Sequence, residues 1–210
     1  MQIDARFDPA ELENLKRALS KAPGECERGM VSAINRSVKT TNTAMQRAVT
    51  GRYNIKKSEL SGGSTFKGEA SNNLVKPIYA KPGNLRAAIW VRGSRLSLVA
   101  KRRLITPTAP KSHKGKTMRQ IKRIPYPSVK VVKGRKTRYP HSFVAQGDGG
   151  TIGLFSRGRT SRNINMQRTL SVANMVRYPS VRTTTQTAAS GALQKNVQRE
   201  IAYRLSKVMK

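Results

Sequence analysis

The chain of 210 residues carries 42 Lys and Arg against 10 Asp and Glu, a formal net charge of +32. A compact monomer with that charge repels itself unless a polyanion or a partner surface offsets the field, so an anionic or multi-subunit setting is expected. With AVILMFWYC at 37% and 16 Gly, the chain falls in the globular class and has length enough for one cored domain over residues 1–210. The longest strongly apolar run, residues 85–91, is interrupted by Arg86 and far too short to span a bilayer, and the charged opening has no apolar signal core, so a soluble protein with no membrane partner is expected. A single Cys26 excludes an internal disulfide and a Cys-based zinc site.

Taken in chain order, Asp8, Pro9 and Glu11 supply a cap, a first-turn proline and a capping-box acid ahead of Leu12, Leu15, Ala18 and Leu19, which predicts a helix stopping near Pro23. Cys26, Met30, Ala33, Ile34, Ser37, Val38, Thr41, Ala44, Met45, Ala48 and Val49 then recur at steps of three and four, predicting a helix over about 24–50 with Gly51 as its stop and Cys26 as a core thiol. Residues 73–80, 85–92 and 96–104 read as strands broken by KPGN at 81–84 and GS at 93–94, a pattern that suits a meander.

Charge is concentrated in the next segment. Residues 70–147 hold no acid and 19 Lys and Arg, and 14 of these lie in 101–138, which Pro107, Pro110, Pro125 and Pro127 interrupt. Such density of like charge predicts an extended loop or arm that stays open until something anionic orders it, although residues 128–132 have strand character. Lys101, Arg102, Arg103, Lys114, Lys116, Arg119, Lys122 and Arg123 are its candidate contacts to DNA or an acidic partner.

Between 136 and 159 the sequence KTRYPHSFVAQGDGGTIGLFSRGR places Ser142 beside His141 and sets Asp148 among glycines. Neighbours on a strand point to opposite faces, so His141 and Ser142 do not share a proton readily, and the acids are too few and too N-terminal for a carboxylate pair or a metal centre. No catalytic, metal or cofactor set is expected. The glycines are followed by strand-like Ile152, Leu154 and Phe155 rather than by a helix, so Asp148-Gly149 reads as a hairpin turn and not as a phosphate cradle. Ala189, Leu193, Val197, Ile201, Leu205 and Val208 repeat nearly every four residues and predict a C-terminal helix over 183–210, with Glu200 and Arg204 paired on its polar side. The order helix, helix, sheet, helix gives an α+β class: N-terminal helices and a long C-terminal helix packed on a mostly antiparallel sheet.

HSFVAQGDGGTIGLFSRGR, followed after a spacer at 159–175 by RYPSVRTTTQTAAS, resembles the minor tail protein Z family of lambda-like phages and prophages. Phe143, Val144, Ala145, Gly150 to Gly153, Phe155, Arg157, and Arg177 to Val181 with its Pro179 are the matching positions, and Ala33-Ile34-Asn35-Arg36 is similar to the Ala-x-Asn-Arg core of the family's N-terminal helix. The resemblance implies a structural motif of Phe143, Asp148, Gly149, Gly150, Phe155, Arg157, Arg177 and Pro179, without catalytic residues. It implies a tail-completion or neck protein that forms a homo-oligomeric ring and meets the tail terminator, the tail tube or the head connector, with phage DNA in the channel. Such a protein would reside in the host cytoplasm during assembly and in the virion tail or neck afterwards. The rival expectation is a free-standing basic DNA- or RNA-binding protein, although 101–138 offers only Tyr126 among aromatic residues for base stacking.

Overall fold

The computed structural model of the chain describes residues 23–60, 75–93, 95–98, 104–105, 127–146, 152–157 and 164–208. The helix expected before Pro23 and the Cys26 side chain lie outside the described residues. Two helices of 30 residues, α1 (Pro23–Arg52) and α4 (Pro179–Val208), dominate the fold. Two short ones, α2 (Lys57–Leu60) and α3 (Val172–Arg177), accompany them.

Helix α1 begins with the fixed φ of Pro23, and Glu25 in its first turn and Arg52 in its last complement the helix dipole. Its buried residues Ala33, Ile34, Ser37, Thr41, Met45 and Val49 form the stripe read from the sequence. Gly51 does not stop it. Gly51 is helical and exposed, and the chain leaves the helix at Tyr53, whose N–H donates to Val49 O at 2.9 Å and whose side chain enters the core. Burying a tyrosine outweighs the turn preference of a glycine.

Helix α4 starts four residues ahead of its expected boundary, because Pro179 sets both edges of a joint. The residue before a proline is driven to extended ψ, and Tyr178, with ψ 132, ends α3 for that reason. Its carbonyl then accepts the first α4 bond, from Arg182 N–H at 2.9 Å. Val181, Thr185, Ala189, Leu193 and Val197 are buried at strict four-residue steps, and the hydroxyl of Thr185 satisfies itself by donating to Val181 O at 2.7 Å.

The two long helices lie antiparallel, each about 45 Å long at 1.5 Å per residue. At their middle Asn196 Nδ2 donates to Ser37 Oγ at 3.0 Å, while the Ser37 hydroxyl lies 2.7 Å from Ala33 O and 3.1 Å from Ala192 O. Toward the other end Glu200 is buried. Its carboxylate accepts from Ser32 Oγ at 2.9 Å, sits 2.7 Å from Arg36 Nη1 and faces Arg204 Nε at 3.7 Å. The pair Glu200 and Arg204 therefore forms, but inside the helix interface rather than on a polar side, and Arg204 carries on to Glu25 across the same seam.

Among the described residues the expected single sheet is three small antiparallel ones. The first is a hairpin of β1 (Val75–Ile78) and β2 (Ala88–Val91), closed by the Lys81 and Asn84 bridge around Gly83 at φ 78. The third run does not continue it as a meander. Instead β3 (Arg95–Ser97) pairs with β9 (Ile164–Ser171), and β4 (Leu104–Ile105) pairs with β5 (Ser128–Val129). The remaining strands are β6 (Thr137–Arg138), β7 (Ser142–Gln146) and β8 (Ile152–Arg157). They give a four-stranded sheet in the order β3-β9-β8-β7 and a three-stranded one in the order β4-β5-β6.

The basic segment 101–138 is thus not an open arm along its whole length. Its end, 127–138, belongs to the body: Ser128 and Val129 are buried, Asn54 N–H donates to Val131 O at 2.8 Å, and Tyr53 bridges Val132. Burial of Val129 and its half-buried neighbours Val131 and Val132 holds this stretch despite its charge. Three apolar clusters follow from these contacts. One joins the end of α1 to α3 and the start of α4 through Met45, Val49, Tyr53, Met175, Val176 and Val181. A second lies along the helix pair at Ala33, Ile34, Leu193 and Val197, with Ala80. A third, Leu98, Val129 and Leu154, sits between the larger sheets.

Replacing Glu200 by Gln leaves two guanidinium groups without their buried partner, and a loss of about 2–3 kcal/mol is expected in chemical denaturation, below the fully buried case because Arg36 is half exposed. Truncation before Ser190 removes Leu193, Val197 and Glu200 from the seam and should abolish the cooperative thermal transition. Acid should act through Glu25 as well. Burial raises its carboxyl, but Arg204, which also hydrogen-bonds it, and Arg28 outweigh that and hold it below its ordinary value of 4.5. A depressed acid contributes stability that is complete above its unfolded pKa and lost as pH falls through the folded one. The melting-temperature difference between wild type and Glu25→Gln should therefore be constant from neutral pH down to the ordinary carboxylate value of 4.5 and shrink as pH falls below it.

Candidate interaction surface

The eight cationic candidates Lys101, Arg102, Arg103, Lys114, Lys116, Arg119, Lys122 and Arg123 lie outside the described residues, as do Asp148, Gly149 and Gly150 of the turn. The strands on either side of that turn are described and pair as expected. Phe143 stands opposite Phe155 and Val144 opposite Leu154. His141 precedes β7 in a turn with φ 59, a conformation more open to His than to most residues.

Across β8 and β9 the register sets Phe155 against Met166 and Leu154 against Gln167. Residues directly opposite share a face, so the two faces can be assigned. The inner face presents Leu154, Thr169 and Ser171, all buried, and toward the hairpin end Val144 and Ile152, which are exposed. The outer face carries Phe143, Phe155, Ile164, Met166, Arg168 and Leu170. Phe143 is 38% exposed, and Ile164 and Leu170 are each 48% exposed. The two phenylalanine rings stack with centroids 6.3 Å apart at 28°. Gly153 makes room for them: a Cβ there would come within 2.9 Å of the Phe155 ring and 2.8 Å of Met166 Cε.

The sequence spacer at 159–175 conceals this surface. Residues 164–171 form the strand β9, and 172–177 the helix α3, capped by Ser171 Oγ accepting from Asn174 N–H at 3.2 Å. The alternation of Ile164, Met166 and Leu170 with polar residues was the available signal. It points its apolar side outward and its polar side in, the reverse of an ordinary half-buried strand.

The other motif residues have structural tasks. Pro179 makes the joint between α3 and α4, and Val181 anchors that joint in the core. Arg177 is exposed in the last turn of α3, and Arg157 ends β8 opposite Ile164. Arg52 locks the joint from the other side, its guanidinium 3.5 Å from the centre of the Tyr178 ring. In Ala33-Ile34-Asn35-Arg36, the first two residues are buried against α4 and Arg36 holds Glu200. Asn35 binds the backbone of Ala80 twice, donating to its C=O at 3.1 Å and accepting from its N–H at 2.8 Å. It clamps the β1–β2 hairpin to α1.

Every described carboxylate is engaged. Glu25 and Glu200 hold arginines, Glu27 accepts from Gly83 N–H, and Glu59 accepts from Lys56 N–H at 3.0 Å. Lys130, Lys133, Arg135, Lys136 and Arg138, by contrast, are all exposed. Among the described residues no three His, Cys, Asp or Glu side chains gather into a metal site, and no described helix is long and apolar enough to cross a membrane.

Asn35→Ala removes both partners of Ala80 and should cost about 1–3 kcal/mol, read as a lowered denaturant midpoint with unchanged m-value. Gly153→Ala forces the Phe155 ring and Met166 to shift, for an expected loss of about 1–2 kcal/mol by the same measurement.

A family model described as prophage minor tail protein Z (GPZ) matches residues 11–210, and no curated protein and no solved structure matches the chain. The matched region spans the helix pair, all three sheets and the Pro179 joint, and so the chain belongs to the prophage minor tail protein Z family.

Proposed function

We infer that the chain is a tail-completion or neck protein that acts without catalysing a reaction, assembling in the host cytoplasm as a ring at the head-proximal end of a long phage tail and remaining there in the virion. The observation that carries this reading is the outer face of the four-stranded sheet. A row of aromatic and aliphatic side chains on an outward sheet face is the mark of a protein contact. The edge strand β7, bordering that face, offers backbone groups to a neighbouring strand. Tail terminator, tail tube or head-connector proteins, together with further copies of the chain, are the partners that such a position supplies.

Charge supports the same setting. A ring of copies each at +32 is held together only if an anion sits within it or against it, and DNA in the channel or an acidic neighbouring ring meets that need.

Phe143→Asp combined with Ile164→Asp should leave the melting temperature within a few degrees, since both residues are exposed, yet abolish the ability of the protein to complete tails in a complementation assay with tails made without it. Tails completed normally by this variant would overturn the reading. For the DNA contact, changing Arg102, Arg103, Lys114, Lys116, Arg119, Lys122 and Arg123 to Gln should lower the logarithmic salt slope of duplex binding by about 6 if all seven meet phosphates, at roughly 0.9 per contact. An unchanged slope would remove the segment from any DNA contact.

A further inference from the structure

A second surface lies where the two larger sheets meet. Arg95 on β3, Arg168 on β9 and Arg135 in the β5–β6 turn come together around a cleft of about 420 Å³ whose apolar wall is Val131, Val132 and Leu170. The three arginines are distant in sequence, two of them on the four-stranded sheet and the third in a turn of the three-stranded one. The pairing of Arg95 with Ser171 and of Ser97 with Arg168 sets two of them on adjacent strands, and Gly134 at φ 78 turns the third toward them. Among the described residues none of the three has an ion pair and no acid lines the cleft. Like charges brought to one concavity repel, and the fold itself gains nothing from gathering them.

We propose that this cleft binds an extended acidic segment of another protein, its carboxylates held by Arg95, Arg135 and Arg168 and its apolar side chains laid against Val131, Val132 and Leu170. Guanidinium groups present a fork that fits a carboxylate in two-point contact, and the hydroxyls of Thr137 and Tyr139, which also line the cleft, add donors. The apolar wall selects polypeptide over nucleic acid: a phosphodiester backbone has no group to place against two valines and a leucine, whereas an extended chain alternates its side chains. Both bordering strands, β3 and β6, are the outermost of their sheets, so backbone pairing with a guest strand is open at each. Glu25, Glu27, Glu59 and Glu200 of a second copy are engaged within its own fold and do not supply these carboxylates. The inference concerns the isolated chain and does not rest on the ring.

The test uses the full chain at about 0.15 M salt, where diffuse attraction is screened. A labelled synthetic peptide alternating Glu with Val is titrated by fluorescence anisotropy. Arg95, Arg135 and Arg168 are changed together to Gln, and a control of equal charge changes Arg182, Lys195 and Arg199, all exposed on α4. The cleft variant should bind at least about 30-fold more weakly, and the control should change by about threefold or less. A second variant with the three arginines changed to Lys keeps the charge and should still lose about tenfold, because the fork is lost. Leu170→Ala should weaken the Glu-Val peptide by about threefold to tenfold and leave a Glu-Ser peptide unaffected. Equal losses in cleft and control variants, or full binding by the Lys variant, would reduce the effect to net charge and overturn the proposal. Loss of short duplex DNA binding with retention of the peptide would overturn it in favour of a phosphate site.

Discussion

The antiparallel contact between α1 and α4 is the constraint on which the rest of this structure depends. Small residues on both helices, among them Ala33, Ser37, Ala189 and Ala192, let the backbones approach closely enough for Asn196 and Ser37 to link the two directly. Near one end the buried Glu200 joins Ser32, Arg36 and Arg204. At the other, Arg52 stacks on Tyr178 at the Pro179 joint. Each sheet is then attached to this pair. The β1–β2 hairpin is clamped by Asn35, the three-stranded sheet by Asn54 and Tyr53, and the four-stranded sheet runs from Ser171 straight into α3.

A protein this basic has few carboxylates to use, and their placement shows what they are used for. The four that are described all sit in structural positions, two on the helix seam and two capping backbone N–H groups near a turn or a helix start. The attraction of these four acts inside the subunit. An acid buried at a seam is more valuable in such a chain than on its surface, because surface pairs are screened while a buried carboxylate between guanidinium groups is not.

The two outward surfaces differ in chemistry. The outer face of the four-stranded sheet is apolar and shallow, suited to a broad contact with another folded subunit. The cleft at the sheet junction is cationic with an apolar wall, suited to a single projecting chain. They share strand β9, whose Leu170 and Arg168 stand at the border of the two, so occupation of one is mechanically close to occupation of the other.

Much of this was determined by the sequence alone. The 3.6-residue period marked α1 and α4 within a few residues, because a helix stripe needs only local spacing, and the alternation around Asp148-Gly149 marked the β7–β8 hairpin, because a hairpin pairs strands that are neighbours in sequence. The α+β class and the resemblance to the minor tail protein Z family were legible for the same reason. Only the tertiary structure decided what non-local contacts control. It turned β3 away from β2 to β9, moved Glu200 from an expected polar side into the seam, and drew residues 127–138 of the basic segment into the body. It also decided which side of β9 faces outward, since the alternation of Ile164, Met166 and Leu170 reads the same for either direction. Arg95, Arg135 and Arg168, far apart along the chain, become neighbours only when two separate sheets are set side by side, a proximity to which local periodicity is blind.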